Sequence, residues 1–470
     1  MSLAEAAAED HPKRDVRAED GGWPRWMPWA VVAVGLVFFV CVLVHLPGLN
    51  GPSWHRWQWR RLSFMWTYGL FLAAAAPMFA ALVLKQSSSM STRRVVLAAT
   101  LSAFGLKLAT ALAQSPERDL RWIAYAVEHP DITSYYTDAV ALSNFSGWFA
   151  QYDRVLPMLH LHSISKPAGP VLYYLLFVRV LGAGESTAVF AGIVTAVLSA
   201  LAVPVTYALL NAITRRRNAA MYGSCFLAMC PGYALFFPML DPLYTGLVAV
   251  ILLAWVQAIE RRSAWLGIAT GVAVGCMTLI TFNYLVIGVF MAGYALLGTD
   301  RPRAAAWKIA TTQAAWALVG LIVWLLGLYL VSGYNTWTVF ASAFHNQQSL
   351  MREHAAERPY PLTIWTDLVD FALGSGWIGY VMAGLWLGCA HRTDGRIRRI
   401  VWLGVAQILV VAATGLLQSE TARVWNFMLP LLALPVGLFL DRCEKPIVLG
   451  VLVCEWVLLV AVCQNMKFVG

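Results

Sequence analysis

Apolar stretches separated by short polar or basic clusters recur along almost the whole chain, and a helix needs about 20 largely apolar residues to cross the hydrocarbon core of a membrane. That pattern predicts thirteen spans, near 28–48, 66–84, 95–113, 187–211, 219–236, 242–260, 263–280, 282–298, 308–331, 370–390, 399–416, 424–440 and 446–464. The segment 168–182 is apolar but short and carries Arg179, so by itself it reads either as a span or as a piece lying at the surface. The expected class is an all-α integral membrane protein of about thirteen transmembrane helices, with a large outer loop carrying juxtamembrane helices.

Charge decides the orientation. With 168–182 kept from crossing, 21 of the 34 Lys and Arg fall on one side and 12 on the other, with Lys107 inside a span. Cytoplasmic loops carry the basic excess, so the N-terminus is expected inside. The chain then divides into a cytoplasmic tail (1–27), a three-helix segment (28–113), a first outer loop with juxtamembrane helices (114–186), a central bundle (187–331), an outer cap (332–369) and C-terminal helices (370–470). The polar tail is too long for the n-region of a cleavable leader, so the first span is expected to be an anchor.

Composition narrows the function. Hydrophobic residues make up 59% of the chain and charged ones 13%, which excludes a soluble enzyme and a DNA-binding protein. The net charge of +9 is spread as topology signals, so no nucleic-acid partner is expected. Many of the 21 Trp stand near the ends of apolar stretches, at headgroup depth. The eight Cys lie in or beside apolar segments without metal-ligand spacing, which argues against disulfides and zinc. No G-x-x-x-x-G-K-[ST] occurs, so the chain alone does not drive transport with ATP.

The remaining polar chemistry gathers in the outer segments. Asp131 stands just before a stretch, Tyr135 to Phe149, that reads as an amphipathic helix carrying Asp138 two turns along. A carboxylate there is a helix cap or a proton acceptor. Farther on, Lys166 precedes Pro-Ala-Gly-Pro and so stands outside regular helix. It reads as a lysine snorkelling to the interface or as a phosphate ligand. His160 and His162 lack a third metal-binding partner nearby and read as hydrogen-bonding residues. Asp241 sits at the outer end of a span, as a cap or as a substrate ligand. Glu420 and Arg423, one turn apart, form a structural ion pair or place a guanidinium against phosphate.

The run Asp131-x-x-x-Tyr135-x-x-x-Ala139, then Gly147-Trp148, then Lys166-Pro167-x-x-Pro170-x-x-x-Tyr174, resembles the first periplasmic loop of the GT-C glycosyltransferases. The similarity is to the protein O-mannosyltransferase and lipid A aminoarabinose-transferase branch. Ile132 stands where that motif has a second acid, and K-P-A-G-P replaces K-P-P. Three spans precede the loop here, against one in the family, so the resemblance covers roughly residues 95–440. It implies a GT-C fold and transfer of a sugar from a polyprenyl-phosphate donor to a hydroxyl of a glycan, lipid or protein on the outer face. The Sec-type topology, with no organellar signal read in the chain, sets the expected location as a bacterial inner membrane.

Under that implication Asp131 is the first choice of general base and Asp138 the second. Lys166 and Arg423 would bind the donor phosphate, and Asp241, Glu420, His160, His162 and Tyr135 would line and orient the site. A divalent cation is left open, because metal dependence varies among these enzymes and no complete ligand set is visible. The rival reading is a secondary transporter or a flippase of lipid-linked saccharides, which would place charges near the midplane of paired repeats. The acids here cluster in outer loops instead. An outer-face acyl or phospho-group transferase would share the polar loops without the Asp131 to Lys166 pattern.

Overall fold

The computed structural model describes residues 23–49, 58–62, 64–87, 90–115, 117, 119–353, 359–389, 394–415, 417–418 and 420–467. The tail up to residue 22, and His354 and Arg358 of the expected cap, lie outside the described residues. The described chain is helical apart from a two-stranded antiparallel ladder joining β1 (Gln58–Trp59) to β2 (Met466–Lys467). Three helices come first: α1 (Trp26–Leu43), α2 (Phe64–Ser87) and α3 (Thr92–Gln114). Short helices α4 (Arg121–Glu128), α5 (Tyr135–Leu142), α6 (Tyr152–Val155) and α7 (Gly169–Leu181) make up the first polar segment.

The central helices are α8 (Glu185–Ala200), α9 (Ala202–Thr214), α10 (Arg217–Met229), α11 (Pro231–Ala234), α12 (Asp241–Arg261), α13 (Ala264–Thr278), α14 (Gly288–Leu297) and α15 (Arg303–Ser332). Then follow α16 (Thr336–Glu353), α17 (Leu362–Gly374), α18 (Ile378–Gly388), α19 (Gly395–Thr414), α20 (Thr421–Val424), α21 (Leu429–Leu440) and α22 (Lys445–Asn465).

Among the described residues, eight helices are long and apolar enough to cross a membrane, counting α8 with α9 as one, which makes this an integral membrane protein. The span expected at 370–390 is instead a pair, α17 and α18, bent by 105°. The elbow has Gly376 at φ 74° and Trp377 at φ 59°, a left-handed turn that no α-helix continues through. The expected spans at 263–280, 282–298 and 424–440 are shorter apolar helices of 10–17 residues. The helix expected from Tyr135 to Phe149 stops at Leu142. Ser143, Asn144, Ser146 and Gly147 follow, residues that favour turns over helix interiors, and Gly147 takes φ 76°. The expected cap at 332–369 is largely the helix α16 followed by the start of α17.

Contacts orient the bundle. At one end Arg396 donates to the carbonyls of Ile213 and Gly298 and pairs with Glu260 at 2.9 Å, while Arg301 donates to the carbonyls of Ile259 and Glu260. These guanidiniums satisfy carbonyls left open at the ends of α9, α12 and α14. At the other end Asn346 of α16 donates to the carbonyl of Ile164 at 2.8 Å, which brings the two large polar segments together. Both ends of α7 are tied there: the Gly169 amide donates to Leu279, and the Tyr136 hydroxyl bonds Gly184. At 13 residues, α7 is about 20 Å long, too short for a hydrocarbon core of about 30 Å.

Close backbone packing joins α13 to α15. A Cβ on Gly271 would meet the Ala317 carbonyl oxygen at 1.8 Å, and one on Gly320 would meet that of Ile268 at 2.1 Å. Small residues at four-residue spacing (Gly267, Gly271, Gly275) allow this approach, which in a lipid environment supplies dispersion contacts that hydrophobic exclusion cannot.

Candidate functional site

The site is built from three short pieces at the end of the bundle where the polar segments meet. The first is α5, which begins at Ser134 with φ 54°. The Ser134 and Ser163 hydroxyls share a hydrogen bond of 3.1 Å, pinning the start of α5 to the loop that carries the histidines and Lys166. Because Tyr135 and Asp138 are three apart they share one helix face, and both are buried.

The carboxylate of Asp138 accepts at 2.7 Å from Nδ1 of His160 and more weakly, at 3.4 Å, from the His160 amide. The Asp138 side chain is 3% exposed and that of His160 47%. Its second oxygen, Oδ2, is buried with no hydrogen-bond partner among the described residues. Asp131 stands differently. Its side chain is 79% exposed, with Oδ2 3.9 Å from Nδ1 of His129, and only its backbone carbonyl enters the site, accepting from Nε2 of His162 at 2.9 Å.

The second piece is the 160s loop. Tyr152 donates to the Lys166 carbonyl, the Ala168 amide donates to the Tyr334 hydroxyl, and Tyr334 stacks on Phe149 with ring centroids 4.6 Å apart. Lys166 lies outside regular helix, and its ammonium has no ion pair or hydrogen bond among the described residues. Burial pushes it down to about 8; Asp241 works against that shift and Arg423 adds to it. His162 is lowered by burial and then by Arg423.

The third piece is the turn that opens α20. Arg423 pairs with Glu420, lies 3.8 Å from Oδ2 of Asp241 through Nε, and donates to Sδ of Met239 at 3.0 Å. Its Nε is buried without a hydrogen-bond partner among the described residues. Burial alone would lower its proton affinity, but Glu420 and Asp241 outweigh that and raise it. The Tyr135 hydroxyl links the pieces: it is pushed up by burial, then by Asp241 and by Asp138, against Arg423. Residues separated by nearly 300 positions, Tyr135, Asp138, His162, Lys166, Asp241, Glu420 and Arg423, thus act on one another.

Two contributors carry no signal in the motif reading. Asp370 accepts from the Ala422 amide at 2.9 Å and from the Thr421 hydroxyl at 3.2 Å, so it holds the turn that presents Arg423. Tyr244, buried one turn into α12, faces Tyr135 and Asp241. The only hint of Asp370 in sequence was an acid at the edge of an apolar run. The intramembrane Lys107 is occupied structurally: it donates to the Tyr233 carbonyl at 2.5 Å and lies 3.6 Å above that ring. Among the described residues no group of three or more His, Cys, Asp or Glu could hold a metal ion.

No family model matches the chain, and no curated protein matches it. Among solved structures it is similar to ArnT from Cupriavidus metallidurans bound to undecaprenyl phosphate, at 17% identity and a TM-score of 0.48. The match covers 74% of this chain and 60% of that one.

Proposed function

We propose that this protein is a GT-C type glycosyltransferase that moves a sugar from a polyprenyl-phosphate donor to a hydroxyl acceptor at the membrane surface. The observation that carries the reading is Lys166: a cation held off any helix, half-buried, without a carboxylate partner among the described residues, beside a guanidinium whose Nε makes no hydrogen bond with them. Such a pair gains most from an anion, because burial makes an unpaired ammonium costly. A lipid phosphate arrives at that depth, and the loop motifs that resemble the GT-C family contain Lys166.

In this reading Lys166 and Arg423 bind the phosphate, and Asp241 and Glu420 orient the guanidinium. The sugar's anomeric carbon leaves the phosphate oxygen, which keeps the electron pair, as the acceptor oxygen bonds to it and gives up its proton. The geometry favours Asp138 as the proton acceptor, since Oδ2 has no hydrogen-bond partner among the described residues and the carboxylate acts on the Tyr135 hydroxyl, whereas the Asp131 carboxylate is exposed. Tyr135, Tyr244 and His162 line the approach. The active face is proposed as the outer one of a bacterial inner membrane, opposite the basic end of the bundle.

The test is reconstitution in vesicles with a radiolabelled polyprenyl-phosphate sugar. Label passing to a hydroxyl acceptor, and lost with Lys166→Ala, is the expected result. Label crossing the bilayer while still on its lipid would replace the transferase with a flippase.

A further inference from the structure

At the end of the bundle opposite this site, α2, α10 and α22 enclose a cavity of ≈ 290 Å³. Its lining divides in two. Leu82, Val448, Leu449 and Leu452 form apolar walls, and Lys85, Gln86, Asn218, Tyr222 and Lys445 supply polar groups. We propose that this cavity binds the headgroup of an anionic phospholipid, with the phosphate between Lys85 and Lys445 and the acyl chains along the leucine and valine wall.

The lysines are already positioned. Lys85 donates to the Met90 carbonyl at 2.8 Å, and Lys445 reaches the Gln86 carbonyl at 3.4 Å while Gln86 donates back to the Lys445 carbonyl at 2.8 Å. Each ammonium has three donors, so both keep N–H groups for a ligand while their stems are held. Gln86 and Lys445 thereby lock the end of α2 to the start of α22, which makes the cavity a built feature of the fold.

Charge favours an anion. The stretches 85–94, 212–218 and 441–445, each of which supplies a lining residue, hold eight Lys and Arg against two acids, Asp441 and Glu444. Two helices also begin at its mouth, α10 beside Asn218 and α22 at Lys445, and their positive dipole ends add to the attraction. A basic pocket between helices at the level of the headgroups, with an apolar wall running into the bilayer, suits a lipid phosphodiester better than a soluble anion, which has no use for the wall.

The experiment places the full-length protein in phosphatidylcholine nanodiscs doped with phosphatidylglycerol and measures the lipids it retains on extraction. The wild type is expected to retain phosphatidylglycerol preferentially and to gain thermal stability from it. Each lysine should contribute roughly fivefold to this retention, so Lys85→Gln with Lys445→Gln should lose about 25-fold, and the matching pair of Arg substitutions should restore it. Lys308→Gln, a basic residue of the same face outside the cavity, should change nothing. Equal retention of both lipids by the wild type, or undiminished retention in the Gln pair, would overturn the proposal. Displacement by millimolar inorganic phosphate would overturn it too, by marking the cavity as a site for a soluble anion. The thermal shift of the wild type needs no variant, so the proposal stays testable if the Gln pair does not fold.

Discussion

The carboxylate of Asp138 carries the ring of His160: Oδ1 lies 2.7 Å from Nδ1, with the acid buried and the imidazole half in water. The bond fixes which oxygen is engaged and leaves Oδ2 as the atom able to take a proton. Asp138→Asn is therefore expected to lower turnover by about 10²–10⁴, the usual cost of a lost general base, with donor affinity kept. Asp131→Asn is expected to retain most activity. Single-turnover rates of the two variants check this, and the opposite order would move the base to Asp131.

His160 acts through Asp138, so its substitutions separate orientation from proton transfer. Asn places an amide N–H where Nδ1 stands and should restore much of what His160→Ala loses. If His160→Asn is as slow as His160→Ala, the imidazole itself carries the proton. The readout is kcat against KM, because a merely structural loss would change expression and both constants together.

Lys166 sets a pH dependence. Its folded value, about 8, lies below the unfolded value of 10.5. The burial cost is therefore complete below about 8 and fades as pH rises toward 10.5, and stability should rise modestly over that window. Anion binding runs the other way, because it needs the ammonium. Affinity for a polyprenyl phosphodiester should be flat below about 8 and fall by up to about tenfold per unit above it. Tyr135, raised by burial, and His162, lowered by burial, titrate outside this window, so titration calorimetry between pH 7 and 9.5 isolates the lysine. Lys166→Arg should remove the inflection. Persistence of the inflection in that variant would assign it elsewhere.

Much of this arrangement was readable from residue order. The proline after Lys166 keeps that residue out of helix, and the spacing of Glu420 and Arg423 puts them on one turn. That Asp241 joins them is a tertiary fact, since helices at 241 and 421 meet only through packing. Hydropathy reports which residues prefer lipid but not the direction of the chain, so the elbow at Gly376 was invisible inside 370–390. Asp370 escapes a hydropathy reading for the same reason. It is an acid at the edge of an apolar run, and its partners, the Ala422 amide and the Thr421 hydroxyl, come from elsewhere in the fold.

Asp370 should matter for the site without touching it. Removing its carboxylate strands the buried Ala422 amide, at a cost of about 1–3 kcal/mol, and loosens the turn that presents Arg423, while the Thr421 hydroxyl keeps the Asp367 carbonyl at 2.6 Å. Asp370→Ala is expected to lower both Tm and donor affinity. Asp370→Asn keeps an acceptor in place and should recover most of the Tm. A variant with normal Tm and normal donor affinity would detach Asp370 from the site.

The pairing of α13 with α15 supports a prediction about coupling. Gly271 faces the Ala317 carbonyl and Gly320 faces that of Ile268, so each added methyl meets backbone, which cannot rotate away as a side chain could. Gly271→Ala or Gly320→Ala must push the two helices apart, at about 1–3 kcal/mol by analogy with overpacked cores. Once separated by one methyl, the helices have already made part of the room the second requires. The double variant should therefore cost clearly less than the two singles together, a departure from additivity expected for residues sharing one interface. Thermal unfolding in a single detergent measures all three. Strict additivity would mean that the two glycines yield independently and that α15 bends locally without moving as a unit.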